Sequence, residues 1–381
     1  MVDLVIEYEQ RSTSSGVVNC LLASHPRLER SFRERGVEFL HVGERSLAEP
    51  SCLDGYLFFF LCFAMEHADR MIVRGPVTNV ALRNARMFQE YWRCWMPDKY
   101  RIVDIEPEVV LSENSLLSHL MAKPSLGRAI GAFSGGADGT FLALRHATDS
   151  LGPASYVLND VVMVHGFDVS VGNQAGFDGL RRRIEPLIDD LGVGLKIVRT
   201  NARANEVQNW GQSHGAQLAC VLHQFSNEFD YGLIGSTEPY NAPSTPWGSN
   251  PSTDYLLSGG VFEIVHDGAG YSRTEKIELI SQHSIARNTL KVCWEGADQD
   301  RNCGECEKCV RTRLNFAAVG DSDPPCFDTP MSLDMVRTIR VNNRVQLMDL
   351  ESIVKYAEER GLDEEWLQVL KRRVDELQST V

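Results

Sequence analysis

Residues Ala129–Arg145 read AIGAFSGGADGTFLALR, and the rest of the chain is organised around them. Ile130 to Phe133 is an apolar lead-in with the character of a short buried strand. It runs into Ser134-Gly135-Gly136-Ala137-Asp138-Gly139-Thr140 and then into a helical apolar pattern at Phe141, Leu142 and Leu144. A strand, a glycine-rich turn and a helix N-terminus together present several backbone N–H groups to a phosphate. Adjacent glycines let the backbone approach an anion where a Cβ would block it. Ser134 and Thr140 add hydroxyl donors, and Asp138 is a candidate ligand for a magnesium ion bridging phosphate oxygens. No GK[ST] follows the glycines, and the spacing is not that of the dinucleotide fingerprint.

The loop resembles the SGGxDS pyrophosphate loop of the ATP pyrophosphatase (PP-loop) superfamily, with Gly139 at the motif's final serine and Thr140 next. The resemblance implies a Rossmann-like parallel sheet and cleavage of MgATP between the α- and β-phosphates. It also implies adenylation of a substrate oxygen, with ATP held by Ser134, Gly135, Gly136, Ala137, Asp138, Gly139 and Thr140.

At 381 residues the chain is longer than one core usually serves, so more than one domain is expected. A hydrophobic content of 43% and a charged content of 24% are ordinary for a globular protein. The net charge of −14 argues against a surface that coats nucleic acid, including a transfer RNA substrate. No run approaches the roughly 20 apolar residues that cross a bilayer. MVDLVIEYEQ lacks a basic segment followed by an apolar one, so no secretion signal and a cytoplasmic location are expected. In that compartment the ten cysteines are read as thiols rather than disulfides.

Residues 1 to about 121 carry alternating strand and helix signals without a nucleotide loop, and are read as a smaller α+β domain for substrate binding or assembly. Met1-Val2 gives no N-terminal nucleophile for a glutaminase. Gly55 to Met65 is a buried strand or helix, and Thr78 caps an amphipathic helix. Leu111 to Leu126 is read as a linker. From 127 to about 320 the alternation of strand and helix argues for a parallel sheet with crossover helices. Ligands of such sheets sit beyond the carboxyl ends of the strands. The polar clusters there are Ser134–Asp138, His165–Asp168 and Ser236–Glu238. Asp168 is read either as a contact to the ribose or adenine side of ATP or as a helix cap. Glu238 is read as a magnesium or substrate contact.

A second cluster is Cys303-Gly304-Glu305-Cys306-Glu307-Lys308-Cys309, with Cys293 ten positions upstream. Such gaps let four thiolates converge on one ion, which fits a structural zinc site. An iron–sulfur cluster has similar spacing, and Cys326 is the alternative fourth ligand. With C-x9-C-x2-C-x2-C beside the loop, the chain resembles the 7-cyano-7-deazaguanine synthase branch of the superfamily over about Gly127 to Leu314. The resemblance implies that an adenylated carboxylate is displaced by ammonia to give an amide and then a nitrile, with zinc structural. The regions outside it point to a different small-molecule acceptor.

Lys308 and Arg311 are expected to neutralise the pyrophosphate leaving group, and with Asp138 they form the expected catalytic set. Pro239 to Gly260 is read as a substrate lid carrying Tyr240, Trp247 and Asp254. Arg273 and Lys276 either reach phosphate or face water. After Pro330 the chain reads as a helical tail, 330–381, packed on the N-terminal region or on a second subunit. Two rival readings stay open: ATP-dependent sulfur insertion, with Cys220 the free cysteine ahead of the metal cluster, and a non-catalytic nucleotide-binding module.

Overall fold

A computed structural model describes residues 2–43, 46–112, 127–148, 150–242, 246–296 and 298–379. Its strands are β1 (Asp3–Thr13), β2 (Gly16–Ser24), β3 (Val37–His41), β4 (Arg70–Thr78), β5 (Asp104–Leu111), β6 (Arg128–Ala132), β7 (Val157–His165), β8 (Gly194–Thr200), β9 (Tyr231–Gly235) and β10 (Glu263–Asp267). They form one sheet in the order β10-β9-β6-β7-β8-β3-β2-β1-β4-β5. From β10 to β8 every neighbouring pair is parallel. The chain steps outward from β6 through β7 to β8, then returns to β9 on the other side of β6. The β6/β9 boundary is therefore the switch point, where an open α/β sheet leaves a crevice beyond its carboxyl ends.

The helices of the first two thirds are α1 (Arg30–Arg35), α2 (Asp54–His67), α3 (Asn79–Trp95), α4 (Ala137–Ala147), α5 (Gln174–Leu191) and α6 (Trp210–His223). The remainder are α7 (Arg273–Gln282), α8 (Ser284–Thr289), α9 (Glu307–Ala318), α10 (Leu333–Thr338), α11 (Arg344–Glu359) and α12 (Glu365–Gln378). The 55–65 run, open between strand and helix in the sequence, is helix α2. It contains no Val, Ile or Thr, the β-branched residues whose stiff χ1 disfavours a helix. It is buried on every side, as an all-apolar helix must be. A Cβ on its Gly55 would stand 2.5 Å from His223 Cβ, which shows how closely α2 crosses α6.

Alternate residues of the central strands face opposite layers, the period-two consequence of the pleat. Ile130, Val162, Val198 and Ile234 join a core with α2, α3 and α6. Ala129, Val161, Met163 and Leu233 face a second core built with α4, α5 and the segments around α7–α9. Leu4, Ile6, Met71 and Val73 of the N-terminal strands belong to the first of these cores, so that core runs under both parts of the sheet. The seam is β3 on β8, antiparallel, with Phe39 opposite Thr200, Leu40 opposite Arg199 and His41 opposite Val198. Most of the expected linker, 113–126, lies outside the described residues.

Helices α10–α12 bury Val336, Leu347, Leu350, Ile353, Leu367 and Leu370 against Val310, Leu314, Ala317 and Ala318 of α9. Their support within the chain is the cysteine-bearing helix and not the N-terminal region. Among the described residues no helix is long and apolar enough to cross a membrane.

Candidate functional site

The glycine loop joins β6 to α4, so it lies at the switch point. Gly135 has φ +76°, and a Cβ on it would stand 2.9 Å from Ile184 Cγ2, so the turn requires glycine on both counts. Gly235 at the end of β9 is equally confined, because its Cβ would meet the Asp138 carbonyl oxygen at 2.7 Å. The first turn of α4 is thereby seated directly on the end of β9. Gly139 has less severe limits: a Cβ there would lie 3.2 Å from the Ala132 carbonyl oxygen.

Asp138, in the first turn of α4, accepts from Arg273 Nη2 at 3.0 Å and from Lys276 Nζ at 3.2 Å. Both cations lie on α7, started by a capping box in which Ser272 and Glu275 satisfy each other's backbone donors. Of the two alternatives, then, Arg273 and Lys276 turn inward. Lys276 also donates to the Ser236 carbonyl at the end of β9. Burial would raise the Asp138 carboxyl, but Arg273, Lys276 and Lys308 outweigh it and hold the group below its ordinary range. Burial pushes the Lys276 ammonium down, against the opposing pull of Asp138.

One donor of this cluster, and one further round α4, are left over. Arg273 Nε and Thr140 Oγ1 are buried and have no hydrogen-bond partner. A buried unpaired donor costs about 1–3 kcal/mol, so their presence beside a glycine turn fits a site that takes an anionic ligand. Ser134 is exposed at the loop, whereas Ala137 is buried in the second core.

Asp168, after β7, is half-buried, and burial pushes its carboxyl up against the pull of Lys308, Arg203, Lys291 and His214. Glu238, after β9, is also half-buried and raised, by burial and by the Asp349 charge, with Arg273 opposing. Lys308 places Nζ 3.4 Å from the centre of the Trp294 ring, and burial lowers its ammonium. Arg311 differs from its expected role: its guanidinium is buried and bound to Glu307, at 2.5 Å, and to Asp349 of α11. Arg313 is bound to the Thr329 carbonyl and stacked over Phe327. Asp254, expected to serve a lid, is fully buried and holds His266 Nδ1 at 2.7 Å together with Ser249 and the Asn250 amide. Tyr240 and Trp247 of that loop are exposed, and 243–245 lie outside the described residues. Cys220 is fully buried in the first core, where burial pushes its thiol well up.

The second anchor meets the first. Cys293, Cys303, Cys306 and Cys309 bring their sulfurs within 4.8 Å of one another. The Cys293–Cys303, Cys293–Cys306 and Cys303–Cys309 separations are 3.4, 3.7 and 3.7 Å. A tetrahedron with Zn–S of about 2.3 Å has an edge of about 3.8 Å, so the four thiols fit a zinc ion. Cys293, rather than Cys326, completes the set.

Asn302 accepts from the Val292 and Cys293 amides and donates to the Leu290 and Cys326 carbonyls, which fixes the segment carrying the first ligand. Arg183 of α5 gathers the carbonyls of Asn288, Thr289, Leu290, Asp300 and Cys326. The same segment docks on the glycine loop through the Lys291 amide, which donates to the Gly135 carbonyl at 2.8 Å. Lys291, Asn302, Arg183 and Asp349 escaped the sequence reading. Proximity of Lys291 to Cys293 was the available signal; the others have none.

A family of unknown function, DUF6395, matches residues 272–380. That span begins at the N-cap of α7 and carries Arg273, Lys276, the four cysteines, Lys308, Arg311 and Asp349. No curated protein and no solved structure matches the chain.

Proposed function

We propose that this protein is an ATP-dependent adenylating enzyme. It activates a carboxylate or carbonyl oxygen of a small molecule as an AMP adduct, and a nitrogen nucleophile then displaces AMP. The observation that supports the reading most is a glycine turn at the sheet's switch point, faced by Arg273 and Lys276, with Arg273 Nε buried and unpaired. In this reading the turn's backbone N–H groups and Thr140 hold the outer phosphates, as helix N-termini hold anions. Arg273, Lys276 and Lys308 stabilise the charge that develops on departing pyrophosphate. Asp138 is the carboxylate for magnesium, which supplies charge neutralisation at the phosphates; to serve, it exchanges part of its pairing with Arg273 and Lys276. Asp168 and Glu238, at the neighbouring strand ends, face the nucleoside and the acceptor. The zinc thiolates take no part in bond making; they fix the Lys291 segment against the loop.

The deciding measurement is product analysis after incubation with MgATP, ammonium and a mixture of small carboxylic acids. AMP and pyrophosphate are expected, with loss of both in Asp138→Asn. ADP and phosphate sink the reading in favour of cleavage at the terminal phosphate, and unconsumed ATP with every acceptor sinks it in favour of a non-catalytic nucleotide-binding module.

A further inference from the structure

The role given to Asp138 leaves one charge unaccounted for. When that carboxylate turns to a magnesium ion, the Lys276 ammonium keeps only the Ser236 carbonyl, and at 1% exposure it cannot turn to water. A buried ammonium without a counter-charge is strongly disfavoured, so the exchange requires a second carboxylate nearby.

Asp267, the last residue of β10, stands where that carboxylate is needed. It lies opposite Gly235 of β9, the residue on which the first turn of α4 is seated. Its backbone carbonyl accepts from the Ser236 amide at 2.7 Å, and the Ser236 carbonyl accepts from Lys276 Nζ, so Asp267 and Lys276 flank one residue. Gly268, with φ +85°, turns the chain directly afterwards, and a Cβ there would stand 3.1 Å from Phe141 Cε1. The centre of that ring is 5.9 Å from Lys276 Nζ and 5.2 Å from Arg145 Cζ. Burial would raise the Asp267 carboxyl, but His146, Arg145 and Lys276 hold it below its ordinary range. Against the burial that lowers the Lys276 ammonium, Asp267 pulls in the same direction as Asp138.

The two oxygens of Asp267 are used unequally. Oδ1 faces Arg145 Nη1 at 3.6 Å and His146 Nε2 at 3.5 Å. His146 Nδ1 accepts from the Tyr156 amide at 3.1 Å, which leaves the ring proton on Nε2, the nitrogen nearer Asp267. Oδ2 is buried and has no hydrogen-bond partner. An ionised oxygen is rarely buried with nothing bound to it, and this one belongs to the same cluster as a cation whose partner is called away.

We propose that Asp267 is a positioning residue, the reserve counter-charge of Lys276: Asp138 holds the ammonium in this structure, and Asp267 Oδ2 takes it over when Asp138 engages a divalent cation. Lys276 then stays charged and in place for the outer phosphates, and no proton or covalent bond changes hands. The use of the exchange for magnesium rests on the adenylation reading; the sharing of Lys276 between two carboxylates does not.

The test is a double-mutant cycle in denaturant unfolding of the full chain, with Asp138→Asn, Asp267→Asn and both together. Each single variant keeps one carboxylate for Lys276, and the double keeps neither. The folding equilibrium constant of the double is expected to lie at least about tenfold below the product of the two single losses. With Lys276→Met added to every member of the cycle, that excess should vanish, because no ammonium is left to strand. Where the double variant does not fold, Lys276→Met should restore its folding. Single losses that simply multiply, or an excess or a folding failure that persists without Lys276, overturn the proposal. A second measurement is calorimetric ATP binding against magnesium concentration. Asp267→Asn should raise the magnesium needed for half-saturation about tenfold, an ordinary size for coupled sites, and Asp267→Glu should recover part of it. An unchanged requirement in folded Asp267→Asn overturns the exchange toward magnesium. Absence of ATP binding in the unaltered chain would remove the adenylation reading, while the unfolding cycle still decides whether Lys276 is shared.

Discussion

Two aspartates, Asp54 and Asp138, occupy the first turns of α2 and α4, and they are satisfied by opposite means. Asp54 is fully buried and accepts only from neutral groups: the Thr78 amide at 2.8 Å, the Thr78 hydroxyl at 2.7 Å and the Gly260 amide at 3.1 Å. Every donor aimed at it is used, and a Cβ on Gly259 would collide with it. Asp138 is met by two cations, its side chain is 22% exposed, and donors beside it remain unpaired. A carboxylate closed by chain donors is a staple between segments. One balanced by cations, with donors to spare, has charge to share with a ligand.

The largest expected effect concerns what holds the cations in place. Chelating whatever metal the four cysteines hold, or changing Cys303→Ser together with Cys306→Ser, is expected to destroy the local fold around these cysteines. Zinc binding to such four-ligand sites is worth about 10–16 kcal/mol in small peptides. Elemental analysis should find one zinc per chain, and limited proteolysis should cut this segment first after chelation. A metal-free chain with an unaltered melting temperature would detach the cysteine cluster from the Asp138 site.

Next in size is Asp138→Asn, which removes the carboxylate that pairs directly with the buried Arg273 and Lys276. A loss of about 3–5 kcal/mol in denaturant unfolding is expected, together with loss of AMP formation. The pH dependence has a definite sign. Asp138 is held below the ordinary carboxylate range in the folded chain, so its ionised form contributes fully above about pH 4. The gap between wild type and Asp138→Asn should therefore close as the pH falls through the depressed value. A gap that widens in acid would contradict the ion pairing. Asp54→Asn should cost less, about 1–3 kcal/mol, because an amide oxygen still accepts part of the set. Product formation per folded molecule should be unchanged in that variant, and an equal loss of activity in both aspartate variants would erase the contrast drawn between them.

The smallest effect belongs to Gly139→Ser. The helix propensity gained over glycine, up to about 1 kcal/mol, is set against a tight approach to the Ala132 carbonyl, so the melting temperature should move by only a few degrees.

What could be read from the chain follows the range of the interactions. The glycine turn, the cysteine set and the helix caps at Thr78 and Gly192 are local patterns, and the structure has them where the residues place them. The partners of Asp138 are not local: Arg273 and Lys276 are 135 and 138 residues away, and nothing in their own neighbourhood says which way α7 turns its cations. Asp254 is a mixed case: Ser249 and the Asn250 amide of its own loop are local partners, but its partner His266 stands on the next strand. Arg311 is a further case. Its basic character is plain in the sequence, but of its two carboxylates one sits a turn earlier on α9 and the other on a tail helix that carries no motif.

The β3–β8 seam has a consequence for any attempt to divide the gene. A fragment starting at residue 127 would present β8 with an unpaired row of amides and carbonyls, and the complementary fragment would present β3 in the same way. Bare strand edges of this kind recruit whatever extended chain they meet. The two pieces should therefore precipitate when made alone and recover solubility when produced together in one cell.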